Sequence, residues 1–257
     1  MSEWNADRYL RFKNERTQPA RDLAARVASL APKTVIDLGC GPGNSSKVLF
    51  DMFPSARIVG VDSSSDMLRK ARSAYSDIEF LQGDVSRMEG LDAFDLVFSN
   101  ACLQWVPDHG YLFPALYRQL HEGAALAVQM PMNEEEPFYR IVDTLVKEDR
   151  WQYQDEVERG GVLSVGDYFD LFSSLTDDFQ IWQTVYLHRM PSLEAMLEWV
   201  KGTRLRPYLN ALDEHQQKEL EEVILQEARK VYRPRKNGEY LFRFRRFFCV
   251  VRKTGSV

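Results

Sequence analysis

Ten residues near the start, Val35-Ile36-Asp37-Leu38-Gly39-Cys40-Gly41-Pro42-Gly43-Asn44, constrain this chain more than any others. An apolar, β-branched run breaks into three glycines within five positions, and helix-forming residues follow. Glycines at a strand-to-helix turn permit positive φ and let a ligand approach the backbone closely. Asn44 is placed to N-cap a helix over 45–53, which Phe53-Pro54 ends. The same alternation then repeats. Residues 56–62 read as a second strand, and Ser63–Ser65 cap a helix with Met67, Leu68 and Ala71 on one face. Ile78–Leu81 is a third strand, running into Gly83-Asp84, and Phe94–Phe98 a fourth, followed by Ser99-Asn100. A helix over about 111–120 leads to a fifth, Ala124–Gln129, closed by Met130-Pro131. Strands this apolar, separated by helix-length intervals, predict an α/β fold with a mostly parallel sheet covered on both faces.

The remainder changes character. Glu136-Pro137 opens a helix to about 150, and a glycine-containing loop follows at 160–166. Phe179–Met190 alternates as a long strand, stopped by Pro191. From Ser192 to about Val231 the spacing is helical, with a break at Pro207, and Glu239–Val251 returns as a strand rich in Phe and Val. One domain over 1–257, with a helical insertion at 192–233 before its last strand, fits this pattern.

Composition narrows the class. With 44% apolar and 28% charged residues the chain is an ordinary globular protein, not a disordered or fibrous one. No window approaches 18 apolar residues, and Met1–Asn5 lacks the regions of a signal peptide. Cys40, Cys102 and Cys249 are too far apart for a disulfide framework or a zinc knuckle, so a reducing cytoplasm is expected. The net charge of −5 hides an asymmetry. Residues 228–253 carry ten basic side chains and one acid, against 23 basic and 37 acidic elsewhere. Such a tail fits nucleic acid, anionic lipid, an anionic substrate or a solvated surface.

The glycine spacing is G-x-G-x-G rather than the G-x-G-x-x-G of a dinucleotide site, and Asp37 lies two residues before the first glycine. A phosphate has little use for a carboxylate there, whereas a cationic ligand does. S-adenosylmethionine carries both a sulfonium and an ammonium. Asp62, ending the second strand, is placed to accept both ribose hydroxyls, and Asp84, ending the third, to accept from an adenine amine. Each acid alone also reads as a turn cap; together with the glycine run they describe a methyl-donor site.

The stretch D-L-G-C-G-P-G-N-S-S resembles the opening motif of the class I, Rossmann-like methyltransferases. Further segments resemble the trans-aconitate 2-methyltransferase family nearly end to end: Trp4-Asn5, Asn100-Ala101-Cys102-Leu103-Gln104-Trp105-Val106-Pro107-Asp108-His109, Ala127-Val128-Gln129-Met130-Pro131, Leu205-Arg206-Pro207-Tyr208-Leu209 and the closing Arg246–Val251. The resemblance implies a seven-stranded sheet with an antiparallel last strand, a helical cap, and methylation of a carboxylate on a small organic acid without a metal. It implies a donor site formed by Asp37, Gly39, Gly41, Gly43, Asn44, Asp62, Ser63, Asp84, Val85, Asn100 and Ala101. On the acceptor side it implies Gln104, Trp105 and His109 as positioning residues, with Tyr9, Arg16, Gln129, Arg206, Tyr208, Tyr240 and Arg246 meeting the substrate. A monomer or weak dimer, with neither nucleic acid nor membrane as partner, goes with that reading.

Several residues carry this chemistry on their own terms. A carboxylate is ionised at neutral pH and needs no general base, only desolvation, alignment and a cationic cradle. On the last strand Arg246 shares a side with Phe242, Phe244, Phe248 and Val250, while Arg243 and Arg245 fall on the other. An arginine in phase with that many apolar residues calls for an anion, from the protein or from a substrate. His109 could donate to an acceptor carboxylate or fix its loop, and Arg206 could be a helix-end surface charge. The family commonly reads M-P-D-N-x-x-E-P-[ST]-H where this chain has Met132 for the acid and Phe138-Tyr139 for the last pair. Gln18 and Arg204 stand where Arg and Gly are usual. Loss of polar groups there keeps a more apolar acid as an alternative acceptor, with a nucleic-acid methyltransferase as a more distant one.

Overall fold

The computed structural model describes residues 13–151, 161–202 and 204–255, apart from the side chains of residues 13–16 and 149. The chain forms two compact units. One takes Asn14–Pro131, Arg159–Thr184 and Arg246–Val257; the other takes Met1–Lys13, Met132–Glu158 and Val185–Arg245. The expected helical insertion at 192–233 falls within the second of these units. The second unit also takes the segment after the fifth strand and parts of the last two strands.

The sheet has seven strands: β1 Thr34–Leu38, β2 Arg57–Asp62, β3 Glu79–Gln82, β4 Leu96–Asn100, β5 Ala125–Pro131, β6 Phe179–Met190 and β7 Tyr240–Arg252. Their order is β3-β2-β1-β4-β5-β7-β6. β1 to β5 pair parallel, and β5 pairs antiparallel with β7, as the resemblance implied. β1, β4 and β5 are buried almost throughout, which explains their continuous apolar sequence. β3, at one edge, buries only Phe80, and β6, at the other, alternates.

In the larger unit α1 (Lys13–Arg26) comes first; its one residue in the other unit is Lys13. α2 (Asn44–Met52) follows β1, and α3 (Ser65–Ala74) follows β2. Ser64 caps α3 by accepting from the Met67 amide at 3.3 Å, and Met67, Leu68 and Ala71 are buried as the periodicity predicts. Asn44 is not the cap of α2. That place belongs to Gly43, at φ +86°, and Asn44 is the first helical residue. α4 (His109–Gln119) is capped by Asp108, whose carboxylate accepts from the Tyr111 amide at 3.1 Å. α5 (Pro137–Leu145) belongs to the smaller unit and stops short of the expected residue 150.

The next helix, α6 (Val165–Ser173), falls where the sequence reads as loop and strand approach. It opens on a capping box of Ser164 and Asp167. Gly166 in its first turn masks a pattern too short for strong periodicity. The smaller unit adds α7 (Leu193–Lys201), α8 (Arg206–Asn210) and α9 (Glu214–Val231). Its core gathers Phe138, Tyr139, Trp199, Leu220, Ile224, Phe242 and Phe244. Among the described residues no helix is long and apolar enough to cross a membrane.

Candidate functional site

The loop after β1 is set by what a side chain at each glycine would meet. At Gly39 (φ +72°) a Cβ would lie 2.0 Å from the Cys102 sulfur, so this position is closed by packing. At Gly41 (φ +55°) a Cβ would meet nothing within 4 Å. The first glycine is demanded by the fold; the second leaves open space against bare backbone, which is a cradle for a ligand. Gly43, packed against the Tyr75 and Phe80 rings, turns the chain into α2.

Asp62 and Asp84 stand at the ends of β2 and β3 as expected. Asp62 Oδ2 accepts from the Gly41 amide at 2.9 Å and Oδ1 from the Ser64 amide at 2.8 Å. Its carboxylate thus ties the glycine loop to the start of α3 and retains lone pairs for a ligand. Ser63 is exposed beside it, and its carbonyl accepts from Gln82 Nε2 at 3.1 Å. Asp84 is exposed and caps the turn Val85–Arg87 through Oδ1, which accepts from the Ser86 hydroxyl (2.7 Å) and amide (2.9 Å). Those bonds hold it below the usual carboxylate range. Val85 is buried in the same turn.

Asp37 differs from both. It has no exposed surface, and its Oδ2 accepts from the hydroxyls of Ser45 (2.7 Å) and Ser46 (2.6 Å) on α2. Burial pushes its pKa up to about 6, the two hydroxyls pull it down and the charge of Asp62 adds to the rise. In this state Oδ2 is committed to α2 and Oδ1 is not. The sequence signal for Ser45 and Ser46 is a pair of hydroxyls directly after the glycine loop.

Strand register gathers the remaining polar groups. Asp37 lies opposite Phe98 and Gly60, Asn100 opposite Gln129, Gln129 opposite Phe248, and Pro131 opposite Arg246. Partners across a ladder, and residues two apart along a strand, share a face. Asp37, Asp62, Asn100, Gln129 and Arg246 therefore occupy one face of the sheet toward the carboxyl ends of its parallel strands. α2 covers the Asp37 part of that face. Farther along, Trp182 of β6 stacks on Phe248 with centroids 5.0 Å apart, and the Arg26 guanidinium lies 5.2 Å from the Trp182 ring centroid.

Along this row several buried polar atoms have no hydrogen-bond partner among the described residues: Asp37 Oδ1, Asn100 Oδ1 and both Nε2 and Oε1 of Gln129. Orphaned buried polar atoms are rare in folded proteins, and a cluster of them is a candidate ligand site. Arg246, 5% exposed, ends the row at the β7 side.

A sharp turn follows β4. Ala101 adopts φ +54°, and its amide donates to the Gln129 carbonyl at 2.9 Å. Gln104 Nε2 donates to the Ala101 carbonyl at 2.8 Å, leaving its buried Oε1 without a partner, and Trp105 is 50% exposed. Cys102 packs under Gly39, and burial pushes its thiol up to about 12. His109, expected near the acceptor, is fully buried. Its Nε2 lies 2.8 Å from the Leu103 carbonyl, which can only accept, so Nε2 carries the proton and Nδ1 accepts from the Tyr168 hydroxyl at 2.5 Å. Burial lowers its pKa. Without ligand, both ring nitrogens of His109 are engaged within the protein. His109 fixes its loop to α6 through Tyr168, on a helix that the sequence pattern does not reveal.

Other predicted acceptor residues lie outside the larger unit or outside the described residues. Arg206, Tyr208 and Tyr240 lie in the smaller unit, with Tyr208 buried and the other two half-buried. Tyr9 and the Arg16 side chain lie outside the described residues. Phe138 and Tyr139, expected beside the pocket, are core residues of the smaller unit. Phe138 meets Tyr232 and Phe242, and Tyr139 stacks on Phe242. Arg204 makes a two-pronged ion pair with Asp143 at 2.8 Å. Among the described residues no group of His, Cys, Asp and Glu could hold a metal ion.

The strand order, the glycine loop and the acids at the ends of β2 and β3 define a methyltransferase of the Rossmann-like kind, and a methyltransferase-domain family model matches residues 31–229. The trans-aconitate 2-methyltransferase of Escherichia coli O7:K1 is 43% identical over 256 residues, covering 99% of this chain and all of that protein. The protein of the same name from Rhodopseudomonas palustris BisB5 is 40% identical over 256 residues, covering 98% and 100%. The chain belongs to the trans-aconitate 2-methyltransferase family. In fold it is similar to the YcgJ protein from Bacillus subtilis, with a TM-score of 0.61 at 17% identity, covering 93% of this chain and all of that one.

Proposed function

We propose that this protein transfers the methyl group of S-adenosylmethionine to a carboxylate oxygen of a small organic acid, with trans-aconitate or a related polycarboxylate as acceptor. One observation supports the reaction type: neither His109 nor Cys102, both downstream of β4, is placed to serve as a general base. His109 has both ring nitrogens committed, and the Cys102 thiol is too weak an acid to ionise near neutrality. A carboxylate acceptor needs none. The near full-length similarity to relatives named for trans-aconitate supports the acceptor class.

When bound, the methyl donor supplies an electrophilic carbon on a cationic sulfur. The residues that fit it are Gly41, whose open backbone admits close approach, Asp62 and Asp84 for its hydroxyls and base, and Asn100 with its unmatched oxygen. In the transfer an oxygen–carbon bond forms as the carbon–sulfur bond breaks, and no proton moves. Opposite charges on the reactants disappear, so a water-poor site favours the step. Gln129 and Arg246, on one sheet face, supply amide and guanidinium donors for the acceptor.

The basic tail, read in the structure, speaks for a small anion rather than nucleic acid. Arg246 is buried, Arg245 pairs with Glu135 at 2.7 Å, Arg229 with Glu194 at 3.3 Å and Arg252 with Asp178 at 3.5 Å. The apolar-acid alternative, which rests on Met132 and Phe138, loses part of its support, because Phe138 is packed in a core.

The test incubates the protein with methyl-labelled S-adenosylmethionine and a panel of tricarboxylic, dicarboxylic and fatty acids. A base-labile labelled product from the polycarboxylates is expected; label appearing only on RNA or an amine would overturn the proposal. Arg246→Ala is expected to raise the acceptor KM about 30-fold or more while cofactor Kd stays within about threefold. Equal loss of both would place Arg246 in the fold alone.

A further inference from the structure

Gln129 sits where the character of the polar row changes. On the β1 and β4 side the unmatched atoms are oxygens that can only accept, Asp37 Oδ1 and Asn100 Oδ1. On the β7 side Arg246 can only donate. Gln129, between Asn100 on β4 and Phe248 on β7, has one atom of each kind, and neither is matched among the described residues. Exchanging its nitrogen and oxygen would not alter that count. A single carboxylate would satisfy Nε2 and leave Oε1 orphaned, and a single cation would do the reverse. Two ligands of opposite charge, one on each side, would complete the amide.

Resting on the methyltransferase reading above, we propose that Gln129 bridges the two substrates. Its Oε1 accepts from the ammonium of the methyl donor, on the side of Asp37 and Asn100. Its Nε2 donates to the acceptor carboxylate, on the side of Arg246. In the ligand-free state the side chain has no accessible surface, yet no hydrogen bond holds its amide. A change of rotamer to meet the ligands therefore sacrifices no bond. The bridge makes one residue responsible for both orientation of the acceptor and its distance from the transferred methyl.

Two variants of nearly the same size separate the two contacts. Gln129→Glu keeps an accepting oxygen and replaces the donor with negative charge. It is expected to leave S-adenosylmethionine Kd, measured by calorimetry, within about threefold of wild type while raising acceptor KM by about 30-fold or more. Gln129→Met removes both functions. It is expected to weaken S-adenosylmethionine about fivefold or more, to raise acceptor KM by about tenfold, and to leave the ligand-free melting temperature unchanged or higher, because a buried orphan amide is gone. Equal cofactor Kd in the two variants would overturn the bridge, and so would an unchanged acceptor KM in Gln129→Glu. If wild type forms no ester with any acid, the functional reading and the carboxylate contact both fail. The calorimetric contrast between the variants still decides the ammonium contact, since it needs no acceptor.

Discussion

The two halves of the sheet's functional edge use their polar atoms differently. At the ends of β2 and β3, Asp62 and Asp84 already accept backbone amides, and the glycine loop is tied to Asp62 before any ligand arrives. At the ends of β4 and β5, Asn100, Gln104 and Gln129 keep buried atoms without partners among the described residues. On the proposed reading, the first region would take the methyl donor with little reorganisation. The second is left incomplete by the protein, and each unmatched buried group destabilises the ligand-free fold by about 1–3 kcal/mol. Asp37 belongs to both, with one oxygen committed and one not.

The comparison breaks most readily at the glycines. Gly39→Ala forces a Cβ onto the Cys102 sulfur at a positive φ and is expected to destabilise the fold by about 3 kcal/mol or more, read as a thermal shift or loss of soluble protein. Gly41→Ala adds only the left-handed strain, about 1–2 kcal/mol, and should fold while losing about tenfold in cofactor affinity. A folded Gly39→Ala protein with normal stability would show that packing does not close that position.

Asp37 offers a sharper, smaller test. Its folded-state pKa is raised from 3.8 to about 6 by burial, so ionisation is disfavoured in the fold. Its contribution to stability is therefore intact below about pH 4 and is lost as pH rises through 6. Asp37→Asn should raise ligand-free stability at pH 7.5 by up to about 3 kcal/mol, a gain that fades toward pH 4, while weakening cofactor binding. Denaturant melts across that range, with calorimetry at pH 7.5, check both signs. A variant less stable at every pH would mean that the Ser45 and Ser46 bonds to a charged oxygen outweigh burial.

The smallest expected effect concerns His109. Burial depresses its pKa, so the stability it contributes is present above pH 6.5 and is lost as pH falls through its lowered folded value. His109→Gln, by removing the titrating ring, should flatten the acid side of the stability profile below pH 6.5, beyond a pH-independent loss of packing. The slope, measured in the Asp37→Asn background to remove the opposing titration, carries the result. An unchanged slope would mean that His109 does not titrate over that range.

Much of this was legible in sequence because it rests on short-range rules. The continuous apolar runs of β1, β4 and β5, the glycine turn, and the Ser64 cap each involve a handful of neighbouring residues. Arg246 was legible through strand alternation alone. By contrast α6 hid behind Gly166 and a length of nine residues, and with it went Tyr168. Phe138 and Tyr139 read as pocket substitutions because a motif shows which residue changed, not which wall it faces.

By itself, then, the sequence determined the sheet-and-helix alternation, the open glycine loop with its strand-end acids, and the family, since each follows from turn chemistry, periodicity or a colinear motif. Tertiary structure alone decided which polar groups are spent and which are left over. His109 is satisfied by a hydroxyl 59 residues away, whereas Gln129, equally buried, is satisfied by nothing among the described residues. Hydrogen-bond completion is a property of neighbours in space, and no local pattern records it.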